Sequence, residues 1–183
     1  MTGYHIRTAV PADGPHLALI SQSVAFRPET ADPNQGFLVF QGTPDEYSFR
    51  LAACPDSVVA VGEDDVPVAF LLATPGETIA EWAKRGWLAP GEQTAHVLRH
   101  EPAVYLLVDQ IGVSPHARRE GLAQRMLDAV VVAAGRTVVG ASIMHAPFRN
   151  LRSLRFFTEK NGFSLVMCYS EPEFEWGYYE RKY

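Results

Sequence analysis

Two arginines and two small residues stand close together in the segment Arg118-Arg119-Glu120-Gly121-Leu122-Ala123. The small residues at 121 and 123 let a ligand approach the backbone, and the arginines supply bidentate donors for phosphate oxygens. The residues that follow predict a helix, whose first turn exposes unpaired N–H groups and the positive end of the helix dipole. The segment therefore predicts a binding site for a phosphate or pyrophosphate.

Two common phosphate-binding motifs are absent from the sequence. A Walker loop needs G-x-x-x-x-G-K-[ST], and a dinucleotide fold needs G-x-G-x-x-G directly after its first strand. The segment instead reads R-x-x-G-x-A and follows V-x-P at Val113-Ser114-Pro115. A kinase or nucleotidyl enzyme is therefore only a distant alternative.

The segment lies between a predicted strand and a predicted helix. Val104–Val113 begins with an unbroken apolar run, which predicts a strand, and a Ser-Pro pair ends it. Apolar residues then recur at helical spacing from Leu122, and Gly135 is typical of a helix C-cap. Thr137–Met144 predicts a further strand, so the region reads as a βαβ unit with two parallel strands.

In this setting the segment resembles the acyl-CoA loop of the GCN5-related N-acetyltransferases, the GNAT superfamily. That loop has the pattern [QR]-x-x-G-x-[GA] after a strand that ends in V-x-P. A second region agrees, because Asn150 opens a predicted helix that ends in Lys160-Asn161-Gly162-Phe163, similar to the K-x-G-F of the family. The remaining elements, over residues 4–179, agree in their order only.

The resemblance implies a fold, a reaction and a cofactor. The fold would be α/β, one GNAT domain over residues 1–183, with a mixed, mostly antiparallel sheet of about seven strands, a central parallel βαβ unit and helices on both faces. The acetyl group of acetyl-CoA would pass to a primary amine by direct attack through a tetrahedral intermediate. The acceptor would be a small-molecule amine or a peptide amine. Many relatives are dimers, so the resemblance is compatible with a homodimer.

The resemblance also assigns residues to the cofactor. Pantetheine would lie along Ile111, Gly112 and Val113, with the Ile111 N–H as the oxyanion donor and Gly112 easing a bulge in the strand. Asn150 would bond the pantetheine arm, with Ser153 and Phe157 as further contacts on the same helix. The pyrophosphate would lie on the loop, through the N–H groups of residues 119, 121, 123 and 124. The loop residues are Arg118, Arg119, Glu120, Gly121, Leu122, Ala123 and Gln124.

Asp109 is the candidate general base. It interrupts an apolar strand, where an ionisable group needs a partner or a use. The family often has a carboxylate here, in an E-D-x-x-V that Asp109–Val113 resembles, and there it deprotonates the amine directly or through water. The alternative is an aspartate bonded to a neighbouring loop or arginine, and the sequence leaves both open.

One family feature is missing, namely the tyrosine that usually protonates the departing thiolate. Its position falls on Phe157 when counted from Asn150 and on Thr158 when counted back from Gly162, because this helix has one extra residue. The loss of a general acid slows a reaction about 10²- to 10⁴-fold. The alternative function is a non-catalytic acyl-CoA-binding sensor. Substitutes for the tyrosine, or ordinary strand aromatics, are Tyr169, Tyr178 and Tyr179.

The composition argues against several classes of protein. A net charge of -5 argues against nucleic-acid binding, because proteins that bind nucleic acid are usually basic. No stretch reaches the roughly 18 apolar residues of a membrane span, and the start MTGYHIRTAV lacks the pattern of a signal peptide. We therefore expect a cytoplasmic protein that binds neither nucleic acid nor membranes. Cys54 and Cys168 form no zinc or disulfide pattern and are predicted to be buried thiols.

A histidine pair and two segments of the chain remain to be considered. His96 and His100 have the i,i+4 spacing of a helical metal pair, but no third ligand accompanies them as in H-E-x-x-H, so the sequence predicts no metal site. Thr74–Pro102, which contains two tryptophans, is a candidate wall of the acceptor site or a loop anchored on the core. Phe37–Phe40 is either a short core strand or an apolar lip over the substrate.

Overall fold

The structure is a computed structural model that describes residues 3–183 of the chain, so Met1 and Thr2 of the predicted N-terminal stretch lie outside the described residues. The strands are β1 (His5–Thr8), β2 (Val58–Val61), β3 (Pro67–Pro75), β4 (Tyr105–Val113), β5 (Val138–Ala146), β6 (Ser164–Glu171) and β7 (Phe174–Lys182). The helices are α1 (Gly14–Ser23), α2 (Pro44–Ala53), α3 (Gly76–Lys84), α4 (Glu92–Val97), α5 (Leu122–Ala134) and α6 (Leu151–Arg155). A π-helical turn, Phe156–Lys160, continues α6.

The strands form one seven-stranded sheet in the order β1-β2-β3-β4-β5-β7-β6. β1, β2 and β3 pair antiparallel in succession, and β7 pairs antiparallel with both β5 and β6. Tyr105–Val108 of β4 pairs in parallel with Val138–Ala141 of β5, and α5 connects these two strands. The predicted fold class is confirmed: an α/β protein with a mostly antiparallel sheet and a parallel βαβ unit.

Local sequence signals set the ends of the helices. Thr43 precedes α2 and accepts a hydrogen bond from the Glu46 N–H at 3.3 Å, while the Glu46 carboxylate accepts one from the Thr43 N–H at 2.7 Å. This reciprocal pair satisfies two N–H groups that the first turn of a helix leaves unpaired. Pro44 occupies the first helical position, where its missing N–H does no harm. The threonine-proline pair thus fixes where α2 begins.

The chain divides into two compact units, each with an apolar core. Unit 1 contains residues up to 26, 38–74 and 109–135, and unit 2 contains residues 27–37, 75–108 and 136–183. In unit 1, Leu17, Tyr47 and Phe70 are among the buried core residues. In unit 2, Ile79, Tyr105 and Tyr178 belong to a buried cluster. One domain over residues 1–183 remains a prediction. Among the described residues, no helix combines the length and the apolar character that crossing a membrane requires.

Two features differ from the sequence expectations. Phe37–Phe40 forms no strand; Leu38 makes only an isolated parallel bridge with Ala25. Cys54 is buried, which raises the pKa of its thiol to about 11, but Cys168 is exposed. The prediction of a buried Cys168 is wrong because β6 lies at the edge of the sheet, where a strand is covered less completely.

Candidate functional site

The loop between β4 and α5 is fixed to the body of unit 1 before it reaches the arginines. The Ser114 N–H donates to the Val68 carbonyl at 2.9 Å, and the Ala117 N–H donates to the Ser114 carbonyl at 2.9 Å. Ala117 is fully buried at the end of a short 3-10 turn. The backbone that carries Arg118 and Arg119 therefore starts from an anchored position.

The backbone enters the left-handed region twice within this loop. Arg119 has φ +71° and Gly121, the residue that caps the start of α5, also has φ +71°. A non-glycine residue at such a φ is disfavoured by about 1–2 kcal/mol, so the conformation at Arg119 needs support from its surroundings. Turns that enter this region gather N–H groups into concavities that hold anions. The loop combines such a turn with the start of a helix of 13 residues.

The predicted loop residues separate into exposed and buried groups. Arg119, Glu120 and Gly121 are exposed, Arg118, Ala123 and Gln124 are half-buried, and Leu122 is buried in the core. The Gln124 N–H donates to the Gly121 carbonyl at 3.1 Å, so this predicted phosphate donor already has a partner. The Gln124 side chain donates to Asp128 at 2.8 Å. An anion would therefore bind at the exposed turn, residues 119–121, more readily than at the N–H of Gln124.

The second half of β4 alternates between buried and accessible residues. Gln110 and Gly112 are buried, while Ile111 and Val113 are half-buried. A Cβ at position 112 would lie 2.4 Å from Cε1 of Phe70. Glycine is therefore explained here by the close approach of Phe70, a different reason from the strand distortion that the resemblance implied.

Asp109 lies on the accessible side of β4 and forms an ion pair with Arg50 of α2. The Arg50 Nη1 to Asp109 Oδ2 distance is 2.5 Å, and 29% of the Asp109 side chain is exposed. The guanidinium also lies 4.9 Å from the centre of the Phe40 ring. Asp109 interrupts an otherwise apolar strand without being buried in it, because successive side chains of a strand alternate between its two faces. Its role as a base remains a prediction, and the arginine partner of the alternative is present.

A buried polar pair beside Asp109 was missed in the sequence. Tyr47 of α2 donates its hydroxyl to Gln110 Oε1 at 3.0 Å, and Gln110 Nε2 donates to the Phe40 carbonyl at 3.4 Å. Burial raises the pKa of Tyr47, which keeps its hydroxyl protonated and able to donate. Gln110 interrupts the same apolar run as Asp109, and this was the only available signal in the sequence.

In unit 2, Asn150 caps α6. Its Oδ1 accepts from the Ser153 N–H at 3.1 Å, and its Nδ2 donates to the Phe37 carbonyl at 3.2 Å. The predicted N-cap is confirmed, and it explains why Ser153 lies in the first turn. Asn150 is 5% exposed and both ends of its amide are engaged. Its contact with pantetheine, and that of Ser153, remain predictions.

The π-helical turn Phe156–Lys160 contains both residues that fall at the position of the missing tyrosine. Phe157 is buried between Phe156 and Phe163, with ring centres 5.1 and 5.0 Å away. Thr158 donates its hydroxyl to the Leu154 carbonyl at 2.8 Å. Phe157 therefore contributes to the packing of the core, and its predicted contact with the cofactor remains a prediction. Neither Phe157 nor Thr158, the two residues at the position of the missing tyrosine, offers a proton to a leaving group.

The three candidate substitutes for that tyrosine all have partners in unit 2. Tyr178 is fully buried and hydrogen-bonded to Tyr105. Tyr169 donates to the Ser142 hydroxyl at 3.0 Å, and the Tyr179 hydroxyl lies 2.9 Å from Nε2 of His145. These contacts are those expected of strand aromatics.

The segment Thr74–Pro102 contains helices α3 and α4, joined by a short loop. Trp87 follows α3, is 54% exposed and lies beneath the Arg85 guanidinium, 4.8 Å from its ring centre. A role in acceptor binding remains a prediction. The histidines of this segment do have a third neighbour, because Glu180 of β7 contacts both His96 and His100.

Comparison with protein families identifies one match. The family model described as "Acetyltransferase (GNAT) family" matches residues 29–163. A comparison with curated protein sequences gives no match.

Solved acetyltransferase structures resemble the chain over nearly its whole length. Diaminobutyrate acetyltransferase EctA from Paenibacillus lautus, solved with L-2,4-diaminobutyric acid and coenzyme A, has a TM-score of 0.63 at 16% identity, covering 100% of this chain and 96% of that one. Polyamine N-acetyltransferase from Drosophila melanogaster, which forms N-acetylagmatine, has a TM-score of 0.58 at 16% identity, covering 99% and 100%. Ard1 from Thermoplasma volcanium has a TM-score of 0.68 at 14% identity, covering 98% and 97%. At these identities the likeness shows a common fold.

Proposed function

This chain belongs to the GNAT acetyltransferase family, and from that premise we propose that it transfers the acetyl group of acetyl-CoA to a primary amine. The observation that carries the proposal is the anchored loop before α5, where Arg119 and Gly121 are both left-handed at the start of the helix. This geometry suits a pyrophosphate, which coenzyme A contains.

We assign the cofactor to unit 1 along one continuous stretch of backbone. The pyrophosphate lies on the exposed turn, held by the N–H groups of Arg119, Gly121 and Ala123 and by the guanidinium groups of Arg118 and Arg119. Pantetheine runs along Ile111–Val113, whose side chains are partly accessible except at the buried Gly112. Backbone donors do most of this binding, so side chains such as Glu120 can vary without loss of the site.

The reaction requires a neutral amine and a donor for the developing oxyanion. An alkyl amine has a pKa near 10, so a base must take its proton before or during the attack on the thioester carbonyl. Asp109 performs this step directly or through water, and the Ile111 N–H stabilises the oxyanion. Collapse of the tetrahedral intermediate then expels the thiolate of CoA, whose departure needs little assistance if its pKa is about 8.5, like that of cysteine.

The acceptor class is supported by two of the structural relatives. One binds L-2,4-diaminobutyric acid and another forms N-acetylagmatine, so both act on small amines. We propose a small primary amine as the acceptor, with a peptide amine as the alternative.

A non-catalytic acyl-CoA sensor is the second candidate function. The buried Phe157 and the internally bonded Thr158 hydroxyl favour it, because neither can protonate a leaving thiolate. A sensor and an enzyme would share the same CoA loop and differ in turnover alone.

Thermal unfolding with acetyl-CoA, CoA or ATP-Mg²⁺, followed by an assay of thiol release with a panel of amines, tests this function. Acetyl-CoA at 100 times its Kd should stabilise the fold by about 2.7 kcal/mol, and ATP-Mg²⁺ should not. Thiol release with one class of amine supports the transferase. Stabilisation without release with any amine supports the sensor, and stabilisation by ATP-Mg²⁺ alone contradicts both.

Replacing Asp109 with asparagine tests the base. We expect kcat to fall about 10²- to 10⁴-fold while the KM for acetyl-CoA changes little, because the variant removes proton transfer and leaves the CoA loop intact. Steady-state kinetics with the best amine of the panel measure this change. Glu63→Gln, which alters an exposed carboxylate in the turn between β2 and β3, is the matched control.

The ion pair with Arg50 provides the opposing test. If Asp109 serves only to hold Arg50, Arg50→Gln should reduce kcat as much as Asp109→Asn does, because each variant breaks the same contact. If Asp109 is the base, Arg50→Gln retains the carboxylate and most of the activity. Equal losses in the two variants therefore contradict the assignment of Asp109 as the base.

A further inference from the structure

Three side chains with metal-binding atoms converge in unit 2, away from the CoA loop in the sequence. Nε2 of His96 lies 2.9 Å from Glu180 Oε1, and Nε2 of His100 lies 2.8 Å from the same oxygen. The three ligand atoms all lie within 4.8 Å of one another. Two imidazole nitrogens and a carboxylate oxygen therefore share one small volume.

Two neighbouring segments bring the histidines together. His96 lies in α4, which ends at Val97, and His100 lies in the turn that follows, yet both rings reach the same carboxylate oxygen of Glu180. The His100 ring stacks on Tyr105 with ring centres 5.0 Å apart, and the His96 ring meets the edge of Tyr178 at 5.5 Å. These aromatic contacts restrict the rotation of both rings, so the donor atoms are directed before any ligand arrives.

Glu180 is the least exposed member of the group. Its side chain is 9% exposed, against 23% for His96 and 20% for His100. A carboxylate with so little access to water needs a partner that offsets its charge, and the two imidazole nitrogens lie within hydrogen-bond distance of the same oxygen. Tyr105 and Tyr178 lie beside this cluster and contact the two histidine rings. A divalent cation bound to the three side chains would give the carboxylate a positive partner.

The ligand set indicates the class of metal. Two histidines and one glutamate form a known set for zinc, with metal–ligand bonds of about 2.0–2.2 Å. In a tetrahedral site such bonds separate neighbouring ligand atoms by about 3.3 Å. The nitrogen–oxygen distances of 2.8 and 2.9 Å are therefore shorter by about half an ångström, a change that small side-chain rotations supply. Imidazole nitrogen disfavours the hard cations Mg²⁺ and Ca²⁺, which prefer oxygen ligands.

We propose that His96, His100 and Glu180 bind one divalent transition-metal ion of the zinc class, with a fourth position open to water or another ligand. The ion bonds Nε2 of each histidine and Oε1 of the glutamate, in place of the hydrogen bonds that these atoms now share. It fastens α4 and the turn after it to β7. This site is independent of the proposed acetyl transfer, since it uses none of the residues assigned to that reaction.

Titration of the untagged protein with Zn²⁺ and Co²⁺, followed by calorimetry and by the visible absorption of Co²⁺, tests the site. We expect one ion per chain, an absorption typical of tetrahedral Co²⁺ with nitrogen and oxygen ligands, and a rise in the unfolding temperature. Each of His96→Gln, His100→Gln and Glu180→Gln should weaken binding at least tenfold. His5→Gln, which alters an exposed histidine, should leave the affinity unchanged and is the matched control.

A measurement on the unaltered chain keeps the test valid if a variant fails to fold. Of the six histidine rings, two should change their NMR signals on addition of Zn²⁺ at one equivalent. Changes at two rings that are lost in His96→Gln or His100→Gln support the site. Equal changes at all rings, binding only at millimolar Zn²⁺, or full binding by all three variants would show a hydrogen-bonded clamp without a metal and overturn the proposal.

Discussion

Replacing Gly121 with glutamate should raise the Kd of acetyl-CoA more than tenfold. Gly121 has φ +71°, which glycine adopts freely and glutamate resists by about 1–2 kcal/mol, so the loop is driven out of the turn that gathers its N–H groups. The added carboxylate also repels the pyrophosphate at the start of α5. Apart from its neighbours in the chain, no described residue places an atom within 4 Å of a Cβ at this position, so backbone strain and charge, and no steric clash, produce the effect. Isothermal calorimetry measures it.

The other end of α5 provides a matched control. Gly135 has φ +59° and caps the C-terminus of the helix, and a Cβ there would likewise meet no atom within 4 Å from the described residues other than its neighbours in the chain. Gly135→Glu should therefore suffer a similar loss of stability and retain its affinity for acetyl-CoA. Gly121→Asn should weaken binding less than Gly121→Glu, because asparagine tolerates the left-handed region and is neutral. An unchanged Kd in Gly121→Glu would falsify the assignment of the loop to the pyrophosphate.

Replacing Gly140 with alanine should destabilise the protein by about 3 kcal/mol. A Cβ at this position of β5 would lie 2.1 Å from the Tyr178 hydroxyl oxygen and 2.3 Å from that of Tyr105. Both rings are buried, so neither hydroxyl can move away without disturbing the core of unit 2. For a chain of this length the unfolding temperature should fall by about 6–12 °C. Thermal unfolding followed by circular dichroism checks this prediction.

Two further variants isolate the cause. Gly91 has an extended backbone with φ -170° and no atom within 4 Å of a Cβ, so Gly91→Ala should leave the unfolding temperature nearly unchanged. In a background that carries both Tyr105→Phe and Tyr178→Phe, the two hydroxyl oxygens are absent. Gly140→Ala should then destabilise the protein less than it does in the natural sequence. A loss of equal size in both backgrounds would contradict the proposed clash.

Signals carried by neighbouring residues predicted most of the fold correctly. The asparagine that opens α6, the glycine after α5 and the βαβ unit are each specified within a short stretch, and each is confirmed. The candidate CoA loop is predicted on the same kind of signal, because its arginines and Gly121 lie within four residues of one another in the chain. Local patterns therefore fix the elements and the position of the candidate anion site.

Contacts between distant residues could not be predicted. Arg50 pairs with Asp109, which lies 59 residues away, and Glu180 approaches His100 from 80 residues away. Such pairs depend on strand order and on which face of a strand a side chain occupies, and neither is determined by local sequence. For this reason the histidine pair lacked a third ligand in the sequence and acquires one in the fold.

The wide turn at Phe156–Lys160 makes chain length adjustable at one point of the molecule. In a regular α-helix of 3.6 residues per turn, one additional residue rotates everything after it by about 100°. A π-helical turn holds about one residue more than an α-helical turn, and here it is followed by the left-handed Gly162 and by Phe163, which packs on Phe157. A relative that lacks one residue in this helix should therefore align with its gap inside the π-helical turn. The residues on both sides of the gap would remain equivalent. We therefore expect homologues to differ in length at this turn without a change in the register of the strands before and after it.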